Sequence, residues 1–324
     1  MQLQGSFLSI ALMGLGLLRC DVAHCQNYPS KPLRIVAPEA GGGADLAARI
    51  VAQGLSTNLG QQAVVDNRGG SAIIPAELVS KSPPDGYTLL FSANAHWLLP
   101  LFQDNVPYDP IKDYAPISLT TTSPAVIAVH PSLPVKTVKE LVALAKARPG
   151  VINCASGTKG ATTYISAELF KAMAGVNIAA IPYKGAGPAL NATVGGQVDM
   201  IVITATSVMP HVKQGRLRAL AVASAQPTPL APGLPTAAAA GIPGFETGTT
   251  HGIFAPARTP DAIVARLNQE IVRYLNRPDT KERVFNAGLE IVASSPAELL
   301  STIKSEISRI AKMIKDSGAR PAAG

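Results

Sequence analysis

The chain has 324 residues, 47% of them hydrophobic and 15% charged, with a formal net charge of +7 at pH 7. That length suits about two domains of ~150 residues, and the composition excludes a disordered chain. Its basic residues are scattered and aromatics make up only 5%, which speaks against nucleic acid as a partner and for a small anionic ligand.

Residues 7–18, "FLSIALMGLGLL", form an apolar run of signal-peptide size, too short to span a bilayer. Ala23 and Cys25 are small residues placed for a cut before Gln26, so residues 1–25 read as a signal peptide and the mature chain as periplasmic. The n-region carries no Lys or Arg. A lipoprotein cut at Cys20 or Cys25 is the alternative, although Arg19 and His24 stand where it needs small residues. Arg19 and Asp21 cancel, so the cut leaves the net charge unchanged. No later stretch approaches ~20 uninterrupted apolar residues, and a soluble mature chain is expected. Cys154 alone survives the cut, which leaves no intramolecular disulfide and no cysteine-based metal site.

"KPLRIVAP" (31–38) reads as a strand bounded by prolines. Leu46, Ala47, Ile50, Val51 and Leu55 have helical spacing from Asp45 to about Leu59, and Gly60 stops the helix. "QAVVDN" is a strand, "PAELVSKS" a helix ended by the turn "PPDG", and "YTLLFS" a strand. This β-α-β-α-β order predicts a mostly parallel sheet with helices on both faces.

Residues 115–132 are β-rich and broken by Pro124, and read as a crossing strand into a second lobe that repeats the pattern. There "VKELVALAKARPG" is a helix, "INCAS" a strand, "TTYISAELFKAMAG" a helix and "NIAAIPY" a strand. "PALNATVGGQ" is a short helix, "VDMIVIT" a strand, "VMPHVKQG" a helical turn and "LRALAVAS" the returning strand. The Pro-rich stretch 225–236 marks the exit, and two amphipathic helices near 260–278 and 296–318 pack back on the first lobe. The expected boundaries are 26–122 and 227–324 for the first lobe and 123–226 for the second. The class is therefore α/β, with two lobes, two crossing strands and a cleft faced by strand ends and helix N-termini.

Three strand-to-helix loops are candidate anion sites, because unpaired N–H groups and the helix dipole meet there. The first holds Gly41, Gly42 and Gly43, with Asp45 as a good N-cap residue. The second, "ASGTKGATTY", offers the hydroxyls of Ser156, Thr158 and Thr162, the cation Lys159, and Gly160. In the third, Tyr183, Lys184 and Gly185 are placed to reach the cleft, against a plainer reading in which Tyr183 packs at a lobe edge and Lys184 is solvated. Ser92 and Thr204, at the ends of their strands, complete the candidates. Neither dinucleotide fingerprint nor phosphate loop is present. His24, His96, His130, His211 and His251 are isolated, without metal-ligand spacing, and read as structural or surface residues. No nucleophile elbow occurs, Trp97 reads as core or cleft wall, and neither catalytic residues nor cofactor nor metal are expected.

The landmarks "YPSKPLRIVAP", "GGGADLAAR", "PPDGYTLLFS", "ASGTKG", "IPYKGAGPAL", "GGQVDM" and "GIFAPARTP" follow one another from Tyr28 to about Pro321. In this the chain resembles the Bug-type (TctC-like) substrate-binding proteins of tripartite tricarboxylate transporters. The resemblance implies a two-lobed, venus-flytrap periplasmic binding fold of type II. It implies capture of a small carboxylate, delivery to integral-membrane transporter subunits, and no enzyme activity. It places Gly41 to Gly43 and Asp45, Ser156 and Gly160, Tyr183 to Gly185, and Asp199 of "GGQVDM" at the ligand site. Several positions depart from the family pattern: Glu39, Thr158, Ala161, Tyr164 and Thr250. Lys159 offers a charge-assisted contact to a ligand carboxylate, whereas Glu39 places a negative charge beside the first loop. Closure by flexing near residues 117–128 and 218–226 is the expected mechanism, in a monomer. A ligand-presenting partner of a membrane sensor is the rival function, and an enzyme on this scaffold a more distant one.

Overall fold

The computed structural model describes residues 28–38, 40, 43–69, 72–158 and 161–316. The segment read as a signal peptide lies outside these residues, as do Glu39, Gly41, Gly42, Lys159 and Gly160. Among the described residues no helix is long and apolar enough to cross a membrane.

In the first lobe, β1 (Leu33–Ala37), α1 (Gly43–Leu59), β2 (Ala63–Asn67), α2 (Ile73–Ser80) and β3 (Thr88–Ala93) alternate as the hydrophobic pattern predicts. β1 is nearly all buried because helices cover both faces of its sheet. α1 lays Ala47, Ala48, Ile50, Val51 and Leu55 on that sheet. Gly54 of α1 faces the ring of Tyr274, where an added Cβ would sit 2.5 Å from ring carbons. A short helix, α3 (Ala95–Leu98), then precedes β4 (Tyr114–Val129).

β4 is the crossing strand, 16 residues long and without a charged side chain. Its first half pairs with β9 (Gly248–Pro256) in the first lobe and its second half with β7 (Met200–Thr204) and β8 (Arg218–Val222) in the second. The second lobe holds α4 (Val138–Ala147), β5 (Asn153–Ser156), α5 (Thr162–Ala174), β6 (Ala179–Pro182), α6 (Ala186–Val194) and α7 (Ala205–Lys213). α4 opens on a full capping box between Thr137 and Glu140, and α5 stops at Gly175, whose φ of 61° suits a residue without Cβ.

Both lobes have the same plan. Parallel strands β2-β1-β3 and β6-β5-β7 each meet an antiparallel return strand, β9 or β4. At the junction Ala125, Ala223 and Thr247 exchange backbone hydrogen bonds of 2.7–3.1 Å, so three chain segments lie side by side. Gly248 lies against the carbonyl of Ser123 there, and a Cβ would approach that oxygen to 2.4 Å. Residues 230–245 pack on the second lobe through Leu230, Ala231, Leu234, Ile242 and Phe245. α8 (Asp261–Leu275), α9 (Pro278–Asn286), β10 (Glu290–Ile291) and α10 (Pro296–Asp316) close the first lobe. Trp97 is fully buried there and donates to Glu306 of α10 at 2.6 Å.

β9 is not foreseen as a strand. Gly252 interrupts its β-branched and apolar run, yet it sits at the centre of the first-lobe sheet and forms one wall of the cleft.

Candidate ligand-binding site

A cavity of about 500 Å³ lies between the lobes, where the carboxyl ends of the parallel strands face one another. The N-terminal turns of four helices open on it. α1 contributes Gly43 and Ala44, α5 contributes Thr162 and Thr163, α6 contributes Ala186 and Gly187, and α7 contributes Thr206 and Ser207. Each start presents N–H groups that its own helix leaves unpaired, and a partial positive charge. Among the described lining residues there is no Lys, Arg, Asp or Glu. An anion held here is met by neutral donors, in a chamber whose apolar walls include Ala95, Ala125, Val202, Ile203 and Leu289.

The helix starts are fixed by side chains behind them. Asp45 is buried, and its carboxylate accepts from Arg49 at 3.0 Å and from Asn67 Nδ2 at 3.0 Å. Asn67 also donates to the carbonyl of Pro38 at 2.8 Å, which ties the end of β1 to β2. Asp45 is thus the third residue of α1 and a strut, not an N-cap and not a wall of the cavity. In the second lobe the N–H of Gly157 donates to Thr163 Oγ1 at 2.9 Å and fixes the loop before α5. Ser166 and Thr247 share a hydrogen bond of 2.7 Å, and Thr204 and Ser207 one of 3.1 Å.

Gly43, Ser92, Thr162, Gly185 and Thr204 are brought together on the cavity wall. Ser156 is buried behind it, with its hydroxyl turned to the carbonyls of Gly157 and Ile181. Thr158 and Lys184 are exposed, and Tyr183 packs against the second-lobe core. Asp199 lies at the other end of β7, where it accepts from the N–H of Asn153 at 2.8 Å. Thr204 is five residue steps further on, or about 16 Å of strand, so the role of Asp199 is to join β5 to β7 and not to touch a ligand.

Sequence reasoning misses Ser123, Thr206, Thr249 and His251, all on the wall. Ser123 and Thr206 share a 3.0 Å hydrogen bond, and Thr206 donates to the carbonyl of Gly288, linking the second lobe to the first. His251 sits on β9 beside Thr121, with 3.0 Å between Nδ1 and Oγ1, and its ring stacks on Phe91. Burial drives its pKa down to about 4, so the ring is neutral at pH 7. Alternating strand geometry places Thr249 and His251 on one face. A strand reading of residues 248–256 would have found the pair.

Residues 47–319 match the model of the tripartite tricarboxylate transporter family receptor. The chain belongs to that family. Solved members have the same fold: the periplasmic binding protein BugD is 32% identical, with a TM-score of 0.79 over 90% of this chain and 99% of that one. Rpa4515 of R. palustris, solved with adipate, is 35% identical, with a TM-score of 0.81 over 90% of this chain and 98% of that one. MatC of Rhodopseudomonas palustris, solved with malate, is 30% identical, with a TM-score of 0.79 over 89% of this receptor and 100% of that chain. The two-lobed α/β binding-protein architecture expected of the receptor family is thereby shown.

Proposed function

We propose that this receptor captures a small organic carboxylate in its interlobe cleft, in the periplasm, and hands it to the membrane subunits of a tripartite tricarboxylate-type transporter. The observation that carries this reading is the convergence of helix N-termini from both lobes on one cavity free of charged side chains among its described walls. Such donors stabilise a carboxylate without a fixed counter-ion. The relatives solved with adipate and malate support the ligand class.

Capture follows from the hinge. β4 runs unbroken through both sheets, and the segments at Ala125, Ala223 and Thr247 lie side by side at the junction of the lobes. A small rotation about them brings α5, α6 and α7 toward α1. Closure is favoured only by as much as the ligand binds the closed state better than the open one. Titration calorimetry with a panel of mono-, di- and tricarboxylates, each beside its methyl ester, tests the reading. Saturable heat from an acid and none from its ester is expected. Heat from no acid in the panel would overturn it.

A further inference from the structure

His251 is the one titratable side chain among the described walls of the cleft. Its orientation can be worked out from its partner. Thr121 is 1% exposed, and its hydroxyl has a single hydrogen-bond partner, Nδ1 of His251 at 3.0 Å. A buried hydroxyl proton without an acceptor is costly, so Thr121 donates and Nδ1 accepts. The neutral ring then carries its proton on Nε2, and no described protein group bonds that nitrogen. Stacking on Phe91, with centroids 5.8 Å apart, and the bond from Thr120 Oγ1 to the His251 carbonyl at 3.1 Å hold ring and backbone in place.

Among the described residues no charge competes for this donor. β3, β4 and β9, which pack around the ring, carry no charged side chain. Glu290 of the adjacent β10 turns to Thr228, and Asp45 of α1 is tied to Arg49 and Asn67. β9 lies two strands from β1, across β3, which is about 10 Å at the usual strand spacing. A ligand with one carboxylate at the α1 start must span that gap to reach His251.

We infer that His251 is a specificity-determining residue: its Nε2–H, oriented by Thr121, hydrogen-bonds the second carboxylate of an aliphatic dicarboxylate whose first carboxylate sits at the helix N-termini. The inference rests on the capture reading above. It separates diacids from monoacids of equal length, because only a diacid satisfies the donor and a methyl end leaves it desolvated.

The test compares adipate with hexanoate, by calorimetry, on the wild-type receptor and on His251→Phe, His251→Gln and Thr121→Val. Circular dichroism and melting curves check that each variant is folded. The wild type is expected to prefer adipate by roughly ten- to hundredfold, the size of one charge-assisted hydrogen bond. His251→Phe should abolish that preference by weakening adipate and strengthening hexanoate, whose methyl end no longer leaves an N–H unpaired. His251→Gln, which keeps an N–H donor, should restore part of it, and Thr121→Val should weaken it. In the wild type, ¹⁵N spectra of the ring should show the Nε2–H tautomer without ligand. If the wild type binds no acid of the panel, the capture reading itself fails; if it binds acids but does not prefer adipate to hexanoate, the His251 assignment falls alone. If it binds adipate and His251→Phe keeps the full preference, or the free ring is the Nδ1–H tautomer, the His251 assignment falls alone.

Discussion

Acidification from pH 7.5 to 5 should destabilise the ligand-free protein by about 4 kcal/mol, because two histidines are buried neutral. His96 is fully buried among Trp97, Tyr108, Tyr114 and Phe254, and neither ring nitrogen has a partner. Burial takes its pKa from 6.5 down to about 3, and that of His251 down to about 4. A group whose folded pKa is depressed binds its proton more readily when unfolded. Its stabilising contribution is whole above pH 6.5 and shrinks as pH falls toward the folded pKa. At pH 5 each ring has lost about 1.5 units at about 1.36 kcal/mol per unit, or about 2 kcal/mol. The pair therefore removes a large part of the ~5–15 kcal/mol typical of a folded domain. Asp66 and Asp109 have lowered pKa values, so acid costs them stability at lower pH than it does the histidines. Urea denaturation at half-unit pH steps measures the slope. Replacing His96 by leucine, a non-titrating side chain of similar volume, should halve the loss between pH 7.5 and 5. A wild-type stability that is flat to within about 1 kcal/mol, or a His96→Leu slope equal to that of the wild type, would refute the reasoning.

Other outcomes follow from named contacts. Gly248→Ala drives a Cβ to 2.4 Å from the Ser123 carbonyl; it should cost about 1–3 kcal/mol in denaturation and weaken ligand binding, since it wedges the crossing strands. Asp45→Ala frees Arg49 and Asn67 from the start of α1 and should lower stability by about 1–2 kcal/mol, with weaker binding although Asp45 does not itself line the cavity. Thr206→Val removes the bond across the lobes to Gly288; small-angle scattering of the ligand-free protein should show a more open average shape, with little change in melting temperature. Asp199→Asn, at the far end of β7, should leave ligand affinity unchanged.

The alternation of hydrophobic runs with helical periodicity makes most elements legible in the sequence, down to the stop of α5 at Gly175 and the long crossing strand. The site is legible only where it is local. A strand end followed by glycines and a helix start announces itself, and Gly43, Thr162 and Gly185 are found that way. What is missed depends on partners distant in sequence. Asp45 looks like a cap because nothing nearby says that Asn67, 22 residues on, will take its carboxylate. Asp199 sits in a strongly patterned segment, but the pattern does not say which end of the strand meets the cleft. His251 looks isolated because its two partners, Thr121 and Phe91, are more than a hundred residues away and meet it only through the pairing of β9 with β3 and β4.

The central claim is that backbone donors at helix starts in both lobes hold a ligand carboxylate. A crystal structure of the mature chain grown with the tightest-binding acid of the panel tests it most directly. The account predicts carboxylate oxygens within hydrogen-bond distance of N–H groups at the starts of α1 and α5, with the lobes closed over them. An acid bound outside the cleft, or held in it without touching either helix start, would contradict it.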